Sequence, residues 1–170
     1  METSKAIFGR RSIRKYIADI PVDENQIKIL LAAAMAAPTA RNAQEWEFLV
    51  VRERETLQKI VETHPYASML KEAPCAIIVC ANLKKELIPG YWIGDCGAAT
   101  QNILLAATNL GLGTVWLGVQ AVKERVDAVR KIFNLPEHIM PFSIVAVGTP
   151  AEEKDPQDRY DEAKVHYGKW

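Results

Sequence analysis

The sequence predicts a single domain of interleaved helices and strands, and three observations carry the expectation. A length of 170 residues suits one domain, and a chain of that size buries about two thirds of its unfolded surface. Segments with helical spacing alternate along the chain with short runs rich in branched and aromatic residues. Composition is 49% hydrophobic and 25% charged, enough apolar mass for a core and enough charge for a wetted surface.

Taken in order, a short helix is expected over 4–10, with Gly9 near its end. Asp23 has the chemistry of an N-cap, and Ile27, Leu30, Leu31 and Ala34 recur at the spacing of one buried helical face. Pro38 ends that helix. Residues 46–51 alternate and read as a strand, and a helix over 54–62 leads to His64-Pro65. Pro74 opens a strand over 75–81 that is apolar throughout, as in the centre of a sheet.

Asp95 is read as the cap of a helix running to about 110, whose only charge stands at its start. A helix that is apolar or small nearly all round must be covered on every side. We take it as the central helix, partly buried against a second subunit; burial inside one chain is the alternative. Gly111 and Gly113 break it, and a strand over 114–119 follows, with Gly118 near its end. An amphipathic helix over 122–133 and a last strand over 143–147 complete the core, stopped by Gly148-Thr149-Pro150. The segment beyond is charged and lacks helical periodicity, yet carries Tyr160, Val165, Tyr167 and Trp170. Disordered tails are poorer in aromatics, so 150–170 is expected as an ordered, extended arm lying on another surface.

Bulk properties exclude several function classes. A formal net charge of zero gives no long-range attraction for nucleic acid or an anionic membrane surface. The longest apolar run, about 96–117, contains Thr100, Gln101, Asn102, Thr108 and Asn109, too polar for a membrane span. Cys75, Cys80 and Cys96 lack Cys-x-x-Cys spacing, and 1–14 has no secretory signal pattern; a cytoplasmic protein with buried, reduced thiols is expected. His64, His138 and His166 are scattered, without metal-ligand spacing.

Against that neutral background Arg10-Arg11-Ser12-Ile13-Arg14 stands out. A guanidinium fork matches phosphate oxygens in pairs, and in a turn Arg10 and Arg14 can converge with the Ser12 hydroxyl; otherwise the segment is a solvated basic turn. A second polar loop, Pro38-Thr39-Ala40-Arg41-Asn42-Ala43-Gln44, offers a hydroxyl, a guanidinium and two amides, or is an ordinary connecting turn. Gly113-Thr114-Val115-Trp116-Leu117-Gly118 could bring backbone amides against a flat ligand, or be a buried strand. Phosphate-loop, dinucleotide and nucleophile-elbow patterns are missing; Gly111-x-Gly113 follows a helix and precedes a strand, the reverse of a dinucleotide fingerprint.

The order of the parts is more specific than any one of them. Arg10-Arg11-Ser12-Ile13-Arg14-Lys15-Tyr16 comes first, then Ala37-Pro38-Thr39-x-x-Asn42-x-Gln44-x-Trp46, then Gln101-Asn102 on an apolar helix. Leu110-Gly111-Leu112-Gly113-Thr114-Val115-Trp116 and Val147-Gly148-Thr149-Pro150 follow. This series resembles the FMN-dependent nitroreductase family over essentially the whole chain. The resemblance implies an α+β fold, a mostly antiparallel sheet flanked by helices, with a homodimer formed through the central helix and an exchanged C-terminal arm. It also implies FMN in the interface, touched by both subunits, with NADH or NADPH as co-substrate and a small-molecule acceptor such as a nitroaromatic or quinone.

By the same resemblance Arg10, Arg11, Ser12 and Arg14 serve the FMN phosphate and one edge of the ring, Arg14 carrying charge toward N1. Pro38, Thr39, Asn42 and Gln44 come from the other subunit, Leu117 and Gly118 present backbone amides near N5, and Arg159 closes on the phosphate. No side chain is assigned as acid or base, because solvent can supply the proton. Glu45 stands where the family often has proline, Gln157 where it often has lysine, and only 82–92 joins the second strand to the central helix, implying an open pocket. A flavin-consuming or dehalogenating relative and a non-catalytic flavin carrier or sensor are the competing readings.

Overall fold

A computed structural model describes residues 3–170. Strands β1 (Trp46–Val51), β2 (Cys75–Asn82), β3 (Gly113–Gly118) and β4 (Ile139–Gly148) form one sheet in the order β1-β2-β4-β3, with every neighbouring pair antiparallel. Helices α1 (Thr3–Gly9), α2 (Glu24–Met35), α3 (Arg54–Thr63), α4 (Trp92–Asn109) and α5 (Lys123–Phe133) connect and cover it.

The unbroken apolar run of β2 is explained by its place in this sandwich. Side chains of a strand point alternately to its two faces, so a strand covered on both sides needs apolar residues at every position. Ala76, Ile78 and Cys80 pack with Leu57 and Ile60 of α3 and Val129 of α5. Cys75, Ile77, Val79 and Ala81 belong to a second cluster with Leu30 and Ala34 of α2 and Ala99 and Ile103 of α4. Burying each Leu or Ile of these layers contributes about 1.5–3 kcal/mol. All three cysteines are buried. Burial pushes the Cys75 thiol up to about 11 and the Cys80 thiol to about 12, so neither is a thiolate nucleophile near neutrality.

Local signals explain the element ends. Asp23 and Gln26 form a reciprocal capping box, the Gln26 N–H donating to Asp23 Oδ1 at 2.8 Å and the Asp23 N–H to Gln26 Oε1 at 3.1 Å. Asn102 ties α4 to α2 by donating to the Ala33 carbonyl at 2.9 Å. Two boundaries differ from the sequence expectation. Helix α4 starts at Trp92, so Asp95 lies inside its first turn rather than at its cap. Strand β4 starts at Ile139, because the register slips between Val79 and Cys80 and leaves Phe142 as an extra residue beside Pro141. Such a bulge lets a proline sit in a strand without a ladder donor.

Residues 10–17 meet the outer edge of β3 near its start and then pair with 149–151. Ser12 makes a parallel bridge with Thr114, and the Ile13 N–H donates to the Thr114 carbonyl at 2.9 Å. The Ile17 N–H donates to Thr149 and the Ala151 N–H to Lys15, which ties the start of the C-terminal arm to the same segment. The close approach requires glycine at 113 and 148. A Cβ at Gly113 would lie 2.8 Å from Ile13 Cγ2, and one at Gly148 would lie 2.7 Å from Pro74 Cδ and 2.9 Å from Tyr16 Cδ1.

The arm is held by its own chain at first, then runs out over the surface. Glu152 accepts the Arg14 N–H at 2.6 Å, Lys154 donates to the Ser12 carbonyl at 2.8 Å, and Arg11 donates to the Asp155 carbonyl. Further on, Tyr160, Tyr167 and Trp170 are exposed. So are Phe8 of α1, Met35 of α2, and Ile93 of α4. Among the described residues no helix is long and apolar enough to cross a membrane.

Candidate cofactor site

The edge segment and the arm enclose a cavity of about 360 Å³ lined by Arg10, Arg11, Ser12, Arg14, Lys154, Gln157 and Arg159. No carboxylate lines it. A second hollow of about 360 Å³ adjoins it, shares Arg10, Arg11, Gln157 and Arg159, and adds Ile7, Phe8, Asp158 and Tyr160. Burial and like charge both act on the guanidinium of the half-buried Arg10. Burial first, then the charges of Arg159 and Arg11, pull its guanidinium below the ordinary value. Such a cluster is destabilising until an anion neutralises it, so the donor set fits a phosphate.

The cations are positioned by local backbone and side-chain contacts. Arg10 follows the last turn of α1, its N–H donating to the Ala6 carbonyl at 3.1 Å. The sheet-edge bond of Ile13 aligns 10–14 beside β3. Arg159 is held by Gln157, whose Oε1 accepts from Nη2 at 2.6 Å and from Nε at 3.2 Å. Gln157 therefore replaces a charge with a brace. Lys154 supplies a cation that motif comparison did not identify. It lies three residues before Gln157, and the path of the arm brings it to the cavity.

The other expected residues occupy two places outside that cavity. In the 38–44 loop, Pro38, Asn42 and Gln44 are exposed and Thr39 is half-buried. Arg41, Asn42 and Gln44 adopt positive φ of 53°, 56° and 51°, a region that arginine and glutamine rarely visit. The strain is held internally: the Gln44 N–H donates to Thr39 Oγ1 at 3.0 Å, and Gln44 Nε2 donates to Asn42 Oδ1 at 2.8 Å. At the third place, Leu117 is buried within β3 and Gly118 is exposed at its end. Thr114 bonds outward to Ile13 while Val119 bonds inward to Phe142. Strand alternation therefore aims Trp116 and Gly118 at the open edge and turns the Leu117 amide toward β4. Gly118 lies about 13 Å along the strand from Thr114, where the arginine segment is attached.

Beneath the 38–44 loop sits a pair of carboxyls, Asp95 and Glu45. Asp95 Oδ2 accepts the Ala40 N–H at 2.8 Å. Glu45, only 1% exposed, leaves Oε2 without a hydrogen-bond partner. Burial above all, then the Asp95 and Glu86 carboxylates, raises the Glu45 carboxyl above the usual carboxylate range. The folded state therefore holds this proton more tightly than the unfolded chain. Stability is fully present below the ordinary carboxylate value and is lost as pH rises through the raised one. Glu45→Gln is expected to raise the melting temperature, by more at pH 8 than at pH 4; equal shifts at both would contradict this.

A four-stranded antiparallel α+β sandwich with a guanidinium-lined cavity along its open edge defines the class: a scaffold suited to a small phosphorylated ligand. The chain belongs to the Nitroreductase family, whose model matches residues 7–64 and 60–149. It is 50% identical, over 100% of its own length and 88% of the other's, to a Methanothermobacter thermautotrophicus protein named NADH dehydrogenase/NAD(P)H nitroreductase. A Parabacteroides distasonis structure of the same name superposes with a TM-score of 0.95 at 41% identity, covering 99% of this chain and 98% of that one. A Desulfovibrio desulfuricans nitroreductase solved in complex with FMN superposes with a TM-score of 0.86 at 27% identity, over 100% and 98% of the two chains.

Proposed function

We propose that the protein is an FMN-dependent NAD(P)H oxidoreductase of the nitroreductase type, acting on nitroaromatics, quinones or similar acceptors as a cytoplasmic homodimer. The observation that carries this reading is the cavity at the open sheet edge, where Arg10, Arg11, Arg14 and Arg159 gather with Lys154, itself paired to Glu152 at 3.1 Å. Bound FMN supplies the hydride chemistry, accepting from a nicotinamide and passing to the second substrate. The chain's own residues hold and tune it. Arg10, Arg11, Arg14, Lys154 and Arg159 grip the phosphate with Ser12, and Arg14 also reaches toward the ring. Gly118 presents its N–H to the ring, and Leu117 anchors that strand end through β4. The partner's loop contributes Pro38, Thr39, Asn42 and Gln44. Exposed Phe8, Ile93 and the aromatic end of the arm supply the apolar surface for the second subunit.

Gly118 offers a clean check. Its φ is not positive and an added Cβ meets nothing within 4 Å, so the fold itself does not require glycine there. Gly118→Ala is expected to leave the apoprotein's melting temperature unchanged while weakening FMN roughly tenfold, since overpacking costs about 1–3 kcal/mol. Equal flavin affinity, read from quenching of flavin fluorescence, would remove Gly118 from the site. The reading as a whole is tested by the visible spectrum of freshly purified protein. A flavin band that bleaches on adding NADH or NADPH and returns with a quinone supports it. A colourless protein that takes up no FMN ends it.

A further inference from the structure

Gly118 is the residue of β3 least able to hold its own conformation, since it has no side chain and stands exposed at the strand's end. Its carbonyl is nevertheless held twice. His64, 3% exposed beyond the end of α3, places Nε2 3.0 Å from the Gly118 oxygen. Arg125, on α5, donates to the same oxygen from Nη1 at 2.9 Å. The second ring nitrogen fixes the histidine tautomer: Nδ1 accepts the Tyr66 N–H at 3.2 Å, so the ring hydrogen sits on Nε2 and is donated to Gly118. Arg125 in turn lies over the Tyr66 ring, 5.3 Å from its centroid. Segments remote in sequence thus converge on one carbonyl outside the arginine cavity.

Both lone pairs of that carbonyl are taken, which fixes the orientation of the peptide. Within a strand a residue's N–H and C=O face the same edge, so holding one aims the other. We propose that His64 and Arg125 are positioning residues for the flavin: together they lock Gly118 so that its N–H stays directed at the ring. Arg125 also places a positive charge 2.9 Å from the Gly118 oxygen, which would favour the reduced, more electron-rich form of a flavin held at that peptide. The proposal rests on the flavin reading of this edge given above. It names no proton donor, and His64 acts through the backbone rather than on a substrate.

The test uses full-length protein loaded with FMN. Arg125→Met keeps an aliphatic stem over Tyr66 while removing the donors and the charge. His64→Gln keeps an N–H donor at that position, and His64→Met removes it. Arg125→Met is expected to weaken the reduced flavin about tenfold more than the oxidised one, which lowers the two-electron midpoint potential by about 30 mV, with the apoprotein's melting temperature unchanged. His64→Met is expected to weaken FMN binding several-fold, and His64→Gln to restore most of it. Unaltered potential and affinity in both Arg125→Met and His64→Met would overturn the proposal. If the parent protein itself takes up no FMN, the functional reading fails separately. Amide exchange then decides the clamp in the apoprotein: faster exchange at Val119 in Arg125→Met supports it, and an unchanged rate refutes it.

Discussion

Arg10→Ala is expected to move the melting temperatures of apoprotein and FMN complex in opposite directions, raising the first and lowering the second. In the absence of an anion the Arg10 guanidinium is half-buried among Arg11, Arg14, Lys154 and Arg159, and burial with like charge already disfavours its charged form. Removing it relieves repulsion. With FMN present, the same change deletes a charge-assisted contact worth about 1.5–3 kcal/mol, which is roughly a tenfold to hundredfold loss of affinity. Opposed shifts are the signature of a site organised for its ligand at the expense of the empty fold. A parallel fall in both melting temperatures would mean that Arg10 is a structural residue.

Deleting everything after Pro150 is expected to have the second large effect. The cut removes Lys154 and Arg159 from the cavity together with the brace Gln157. It also strips partners from the arginine segment: Glu152 from the Arg14 N–H, the Asp155 carbonyl from Arg11, and the Lys154 ammonium from the Ser12 carbonyl. Loss of two charge-assisted contacts alone weakens FMN by on the order of 3 kcal/mol. Tyr160, Tyr167 and Trp170, exposed on a single chain, are removed as well, and with them the surface proposed above to meet a second subunit. Light scattering and the flavin absorbance of the same sample check both consequences. A truncated protein that stays dimeric and yellow would contradict the role given to the arm.

How far the sequence could be read depended on whether the information was local. Helix α2 was legible because a cap, a period and a terminating proline lie within one short stretch. The burial of β2 was legible because apolar side chains on both faces leave an unbroken run. The start of β4 was not, because Pro141 argues against a strand unless a bulge in the partner register is known. Asp95 reads as a cap by residue type alone, yet its carboxylate is taken by Ala40, fifty-five positions earlier in the chain. The arginine segment was legible as a motif, and Arg159 through family likeness. Lys154, His64 and Arg125 were not, since each is placed by a fold-dependent contact with Ser12 or Gly118.

The central claim is that the cavity between the arginine segment and the arm exists for a phosphate. Titrating the apoprotein with FMN and, separately, with riboflavin tests it most directly, because the two ligands share the ring and differ only in that group. Tight uptake of FMN with riboflavin weaker by at least a hundredfold is the expected result, and the gap should narrow at high salt or in Arg10→Ala. Riboflavin binding as tightly as FMN would contradict the account.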